Sequence, residues 1–251
     1  MAVNHAVIRV ADAVPELVGD LDPERAELAR RHALATLEVL TPGQWQPEFE
    51  VRHEPGHLGL LVIDGLLMRD VTLGNTIATE IVGRGDVLRP ADHDGESAPV
   101  PFGVRWTVLE PTRLAILDRR FTSVIGHWPE TIEFLMRSMM RRVHALALHV
   151  AVCHLRRVDS RLQVLLWHLA DRWGRVEADG VHVPLSLTHQ TLGRLVGAQR
   201  PSVTTALRQL SEAGAVTRLG DGTWLLRGSP PDTLERLRET AQDAEVDGAA
   251  G

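Results

Sequence analysis

Residues 185–226, LSLTHQTLGRLVGAQRPSVTTALRQLSEAGAVTRLGDGTWLL, constrain this chain more than any other stretch. Thr188 is a good N-cap for a short helix that carries Leu192, Leu195 and Val196 on one face. Gly197 follows where a left-handed residue ends that helix, and Ala198 and Gln199 complete a tight turn. A second helix starts at Arg200-Pro201, because proline is harmless in a first turn, with Val203, Ala206, Leu207 and Leu210 inward. After Gly214, two short β-runs, Ala215–Arg218 and Thr223–Leu226, flank the hairpin signal Gly220-Asp221-Gly222. Helix, turn, helix and hairpin together predict a winged helix-turn-helix.

The outward residues of the second helix are Arg200, Ser202, Thr204, Thr205, Arg208 and Gln209, a small polar face with two cations. Such a face suits the floor of a DNA major groove. Arg200 can donate two hydrogen bonds to guanine O6 and N7, the most discriminating single contact a side chain offers. Thr204 and Thr205 offer hydroxyls to bases or phosphates, and Arg208 is placed for a phosphate. Thr188 and the first helix amides can hold another phosphate through the helix-end dipole. The expected DNA-binding set is Thr188, Gln199, Arg200, Ser202, Thr204, Thr205, Arg208 and Arg218. Charge agrees: the chain has net charge −6, yet Ser160–Arg227 holds eight Arg against five acids.

The rest of the chain has two textures. Asp22-Pro23-Glu24 opens a short helix in which Leu28, His32 and Ala35 follow at helical spacing, and Thr41-Pro42-Gly43 ends it. From Trp45 to Leu117 come short β-rich runs, Leu58–Ile63, Leu66–Val71, Ile77–Val82, Arg105–Leu109 and Leu114–Leu117, separated by Asp64-Gly65, Gly74-Asn75 and Gly83–Asp86. That texture predicts an antiparallel sandwich or small barrel, with the polar stretch 90–101 as an exposed loop. The period then switches. Trp128-Pro129-Glu130 opens a helix free of Gly and Pro to at least Leu155. Its apolar positions Ile132, Met136, Met139, Val143, Leu146, Val150 and Cys153 step by 4 and 3 alternately. Three heptads of that seam predict a parallel homodimer interface, with packing inside the chain as the alternative. His144, His149 and His154 fan around this helix and are expected at the surface or rim, not as ligands. Asp159 is the expected cap of a further helix from Ser160 to Trp173, and Val181–Pro184 reads as an edge strand.

Composition excludes several classes. Cys153 is the only cysteine, so an intrachain disulfide, a four-cysteine zinc site and a cysteine-held iron–sulfur cluster are out. All 27 basic residues are Arg, the mark of codon preference rather than chemistry. There is no apolar run of membrane-spanning length and no leader-like start, so a cytoplasmic location is expected. His53-Glu54-Pro55-Gly56-His57 matches the letters of a zinc-hydrolase motif. That motif works only on a helix, which Pro55-Gly56 would break, so a turn with exposed imidazoles is expected instead.

The stretch LTHQTLGRLVGAQRPSVTTALRQL, the β-rich first half, the long helix and Asp159 together resemble the Crp/Fnr family of bacterial transcription regulators. The resemblance implies an α+β chain with a cyclic-nucleotide-binding-like β-roll at 1–128 and a dimerisation helix at 129–157. It further implies a winged helix-turn-helix at 158–228, followed by an acidic tail at 229–251. It implies a homodimer on an inverted-repeat site, with double-stranded DNA and RNA polymerase as partners, and a hinge region that swings the DNA-binding heads. In the family's nucleotide cassette a Gly-Glu pair holds the ribose and an Arg-Ser or Arg-Thr pair the cyclic phosphate. Here Gly85-Asp86 falls at the first pair, and Phe102-Gly103 near the second, with Arg105 close by. Leu148 and His149 fall where the receptor contacts adenine. Asp86, Arg105, Leu148 and His149 are therefore the candidate effector pocket, but cyclic AMP is not expected to bind it, since a buried phosphate without its arginine is costly. No cofactor or metal is identified, no axial pair for haem stands out among the twelve His, and the effector is unknown. The expected function is site-specific DNA binding without enzymatic activity. The rivals are a ligand-sensing dimer acting through protein contacts and a metallohydrolase at His53 and His57.

Overall fold

In the computed structural model, residues 6–47, 55–89 and 100–230 are described. His53, Glu54, most of the loop 90–101 and the tail beyond Pro230 lie outside them. Contacts divide the chain into two compact units, Met1–His144 and Ala145–Gly251, with the boundary inside the long helix.

The first unit opens with β1 (Ala6–Arg9), α1 (Val10–Ala13) and α2 (Pro23–His32), the last capped by Asp22, whose carboxylate accepts from the Arg25 amide at 3.0 Å. The expected helix stops early. Its buried face is Ala26 and Ala29 while Leu28 is exposed, and Ala35 already belongs to a strand, β2 (Leu34–Leu40). Arg30, Arg31 and His32 in the last turn suit a helix C-terminus, and Leu-Ala-Thr-Leu-Glu-Val-Leu pairs with strands on both sides. Then come β3 (Gly43–Trp45), β4 (Gly59–Leu73), β5 (Thr76–Gly83), β6 (Val87–Leu88) and β7 (Gly103–Leu117). The antiparallel order is β1-β2-β7-β4-β5, with β3 on β7 and β6 on β4.

Two pairs of runs expected as separate strands are continuous. Asp64-Gly65 is a bulge in β4, where the register against β7 shifts three times between Val62 and Leu67. Gly65 has φ +92°, and a Cβ there would lie 2.4 Å from the Pro111 carbonyl oxygen, so no other residue fits. Pro111 sits opposite the bulge, outside the regular ladder, where a missing N–H costs nothing. Arg113 Nε donates to Asp64 Oδ2 at 2.8 Å across the same point.

Residues 59–63 of β4 are all buried, and alternation sorts them. Leu61 and Ile63 join a cluster with α1, α2 and Phe121 and Ile125 of α3 (Arg119–Ile125); Leu60 and Val62 join another with Val82, Leu88, Trp106 and Leu114. A strand covered on both faces is the centre of a roll, not the wall of an open sheet.

The long helix is α4 (Pro129–Cys153). The expected seam is out of phase with its exposed face. Ile132 and Met139 pack on the first cluster, and Leu146 and Cys153 are half-buried. The exposed apolar stripe is Met136, Met140, Val143, Ala147 and Val150, still stepping by 4 and 3. Adjacent Met139 and Met140 make both phases possible in sequence; the roll core takes Met139. Arg142 of α4 grips Glu80 of β5 with two hydrogen bonds, 2.6 and 2.9 Å, and Arg69 of β4 approaches the same carboxylate at 3.7 Å.

The second unit contains the end of α4, α5 (Val158–Trp173), β8 (Arg175–Glu177), β9 (Gly180–Val183), α6 (His189–Val196), α7 (Arg200–Glu212), β10 (Val216–Arg218) and β11 (Trp224–Leu226). Its antiparallel sheet runs β10-β11-β9-β8, so β9 is an inner strand, not the expected edge. Pro184 follows the ladder and costs it no bond. Leu162, Leu165, Leu166 and Leu169 of α5 are buried as their spacing predicts. Asp159 is not the cap of α5: the helix begins at Val158, and Asp159 pairs with Arg157 and accepts the Ser160 amide at 2.9 Å.

Glu80 compensates two largely buried guanidinium groups, and removing it strands both. Glu80→Ala is expected to lower stability by about 3 kcal/mol in denaturant unfolding of the full chain, whereas exposed Glu133→Ala changes it by less than about 0.5 kcal/mol.

Candidate nucleic-acid interface

Thr188 caps α6 as expected, its Oγ1 accepting from the Thr191 amide at 3.1 Å. At the other end Gly197 is left-handed, φ +62° and ψ +41°, and Ala198 N donates back to Gly193 O at 2.8 Å. This is how eight helical residues end and α7 leaves in a new direction within three residues. Gly193 has its own reason: a Cβ there would lie 2.6 Å from the Ala198 carbonyl oxygen, so the helix and its turn touch only because no side chain intervenes.

The last carbonyls of α6 are capped from outside it. Arg161 of α5 donates to Val196 O at 3.0 Å while its Nε donates to Leu155 O at 2.6 Å. His149 of α4 donates Nε2–H to Leu195 O at 2.5 Å, and Cys153 Sγ lies 3.6 Å from the same oxygen. His149 is thus half-buried and engaged, whereas His144 and His154 are exposed. His168, half-buried in this unit, has its pKa pushed down to about 4, chiefly by burial and then by Arg172.

Val203, Ala206, Leu207 and Leu210 of α7 are buried. All eight residues expected to meet DNA, Thr188, Gln199, Arg200, Ser202, Thr204, Thr205, Arg208 and Arg218, are exposed. They do not all share one setting. Ser202, Thr205 and Gln209 line a groove of about 460 Å³ with Arg157 and Asp159 at the start of α5. Thr204 faces α6: its hydroxyl donates to Arg200 O at 3.0 Å and lies 3.0 Å from His189 Nδ1. Arg208 is 3.7 Å from Glu212 one turn on, and Arg200 has no ion pair among the described residues. In the wing, Arg218 lies over the Trp224 ring, 5.7 Å from its centroid. Asp221 at the wing turn is drawn back by Thr223, whose amide and hydroxyl donate to it at 3.0 and 2.6 Å, and those bonds hold its carboxyl below the usual range.

The candidate effector residues are divided between the two units. Asp86 and Arg105 belong to the first unit, Leu148 and His149 to the second. Asp86 is buried and accepts the Gly83 amide at 2.9 Å, closing the turn before β6, and Arg105 is exposed on β7. Pro55-Gly56 form a turn with Gly56 at φ +90°, so no helix aligns His57 for metal binding; His57 itself is buried, contrary to the expected exposure. Among the described residues no group of three metal-ligating side chains occurs. Nor is any helix among them long and apolar enough to cross a membrane.

His189 is the residue the sequence reading missed. It is the first residue of α6, and its proximity to Thr204, fifteen positions on, depends on how α6 meets α7. Its place directly after a capping Thr was the one available signal.

Comparison with known proteins agrees with this geometry. Residues 160–237 match the Crp-like helix-turn-helix domain. A CRP-like cAMP-activated global transcriptional regulator of Mycobacterium tuberculosis is 28% identical over 165 residues, 64% of this chain and 72% of that protein. Residues 160–237 thus form a Crp-like helix-turn-helix domain, and the chain is similar to a CRP-like transcriptional regulator. The fold of this chain is shared by FixK2 from Bradyrhizobium japonicum, with TM-score 0.57 and 18% identity over 77% of this chain and 93% of that one. It is also shared by a cyclic nucleotide-binding domain containing protein from Listeria monocytogenes, with TM-score 0.60 and 17% identity over 87% and 97% of the two chains.

Gly193→Val forces the turn away from α6. We expect it to lower the stability of the protein by about 2 kcal/mol and to abolish duplex binding, read by denaturant unfolding and fluorescence anisotropy.

Proposed function

We propose that this regulator binds an inverted-repeat DNA site as a homodimer, placing one α7 in each of two successive major grooves, and that cyclic AMP does not gate it. The observation that carries the reading is the exposed N-terminal turn of α7, where Arg200 has no ion pair among the described residues and acts, with Arg218, on His189 next to Thr188. A guanidinium without a carboxylate partner pays nothing to leave one when it meets guanine or phosphate. Thr188, Gln199, Thr204 and Arg208 then serve mainly the backbone, which fixes orientation, while Arg200 reads sequence.

The homodimer is supported by the stripe Met136, Met140, Val143 and Val150, each at least half exposed in a single chain. Such a line of apolar side chains on a 25-residue helix suits a second copy of the same helix. The absence of cyclic AMP gating is supported by Asp86, whose carboxylate closes its own turn, and by Arg142, which is held by Glu80. The Mycobacterium relative is described as cAMP-activated, so the two proteins differ on this reading.

A duplex selected by the wild type from a random-sequence pool tests the proposal. Arg200→Ala is expected to weaken binding to it by about 1–3 kcal/mol and to relax the preference at one base per half-site, with cyclic AMP leaving the wild-type affinity unchanged. Unchanged affinity and preference in the variant would remove Arg200 from the site. Replacing Met140 and Val143 together with Glu is expected to give monomers by light scattering and to cost most of the DNA affinity. A persistent dimer would place the interface elsewhere.

A further inference from the structure

Thr204 Oγ1 has one hydrogen, and it goes to the Arg200 carbonyl. The contact between Thr204 Oγ1 and His189 Nδ1 at 3.0 Å therefore needs its hydrogen from the imidazole, so Nδ1 donates. In the neutral ring that leaves Nε2 bare, an acceptor only. This nitrogen belongs to the first residue of α6, at the helix end where amides and the dipole already favour an anion. The ring stands beside Trp224 of β11, centroids 6.5 Å apart. The charged groups acting on it are Arg218 of β10 and Arg200 of α7, both cationic.

A cluster of two fixed cations, a helix N-terminus and a half-buried imidazole has room for a third positive charge only when an anion joins it. In the free protein burial first, then Arg218 and Arg200, hold the imidazole below its ordinary titration range, so at neutral pH it is uncharged. A DNA phosphate at this corner changes both conditions at once. It screens the two arginines, and it offers an acceptor to Nε2 only if Nε2 carries a proton.

We propose that His189 takes up a proton when a duplex docks and becomes a phosphate-contacting residue, so that DNA binding by this regulator is linked to pH. The inference rests on the DNA-binding reading above and adds a regulation of that same surface. The sign follows from linkage: the bound form holds the proton more tightly than the free form, so affinity rises as pH falls. The gain ends below the free protein's own titration, where both forms are protonated. With one such histidine per protomer, a dimer takes up as many as two protons.

The test measures anisotropy of the full chain on the selected duplex and on a random-sequence duplex, from pH 8 to pH 6 at constant ionic strength. The wild type is expected to gain roughly tenfold in affinity over that range on both duplexes, because a phosphate contact does not depend on sequence. His189→Gln keeps a donor but cannot titrate; it is expected to bind more weakly at pH 6 with most of the pH slope gone. His189→Arg is permanently charged and is expected to bind tightly with a flat profile. Calorimetry in two buffers of different ionisation enthalpy counts the protons, and His189→Gln is expected to take up fewer than the wild type. Duplex binding in which His189→Gln keeps the full wild-type slope and proton uptake overturns the inference and leaves the DNA-binding reading standing. No wild-type binding to either duplex at any pH overturns both.

Discussion

The recognition surface depends on one backbone event, the left-handed turn at Gly197. Everything α7 presents is set by the angle at which it leaves α6, and that angle is fixed within three residues. A helix end normally leaves four carbonyls unanswered. Here they are answered by the Gly197 and Ala198 amides of the turn, by Arg161 of α5 and by His149 of α4. The missing side chain of Gly193 allows the turn to lie flat against the helix. Orientation of the reading helix is thus a property of hydrogen bonds and close packing behind it, while its outward face is left to chemistry. A surface built that way can carry polar residues such as Ser202, Thr204 and Thr205, which contribute nothing to the core.

The winged unit was legible because its signals are local. Thr188, Gly197, Pro201 and Gly222 each act within a turn of themselves, and each was found in the role its residue type predicts. The roll was legible only in kind. Asp64-Gly65 and Pro111 look like strand ends, yet opposite each other they form a bulge, and nothing along the chain states that they are opposite. Strand β2 was hidden by the helix before it, whose period extends to Ala35 by coincidence. The phase of the α4 stripe was likewise decided by packing, since Met139 and Met140 are equal candidates until the roll core takes one of them.

The site divides along the same line. Exposed side chains on α7 follow from helical spacing alone. His189 and His149 owe their environments to residues 15 and 46 positions away, so their roles emerge only once the helices are assembled. Asp86 shows the opposite case: its position in the chain suggested a ligand contact, and its folded geometry spends the carboxylate on a neighbouring amide.

Strand β4 raises a problem of its own. Leu60, Leu61, Val62 and Ile63 alternate between two oily compartments, and their side chains are close in size and chemistry. Sliding the strand by one position would exchange the occupants of the compartments with little loss of apolar contact, so hydrophobicity by itself does not discriminate against the slip. Discrimination falls to the adjoining kink, where only a glycine fits against Pro111 and Thr112 and where Asp64 must find Arg113. A defect at Gly65 would therefore show itself as mispaired strands and several coexisting conformers, ahead of any simple drop in melting temperature.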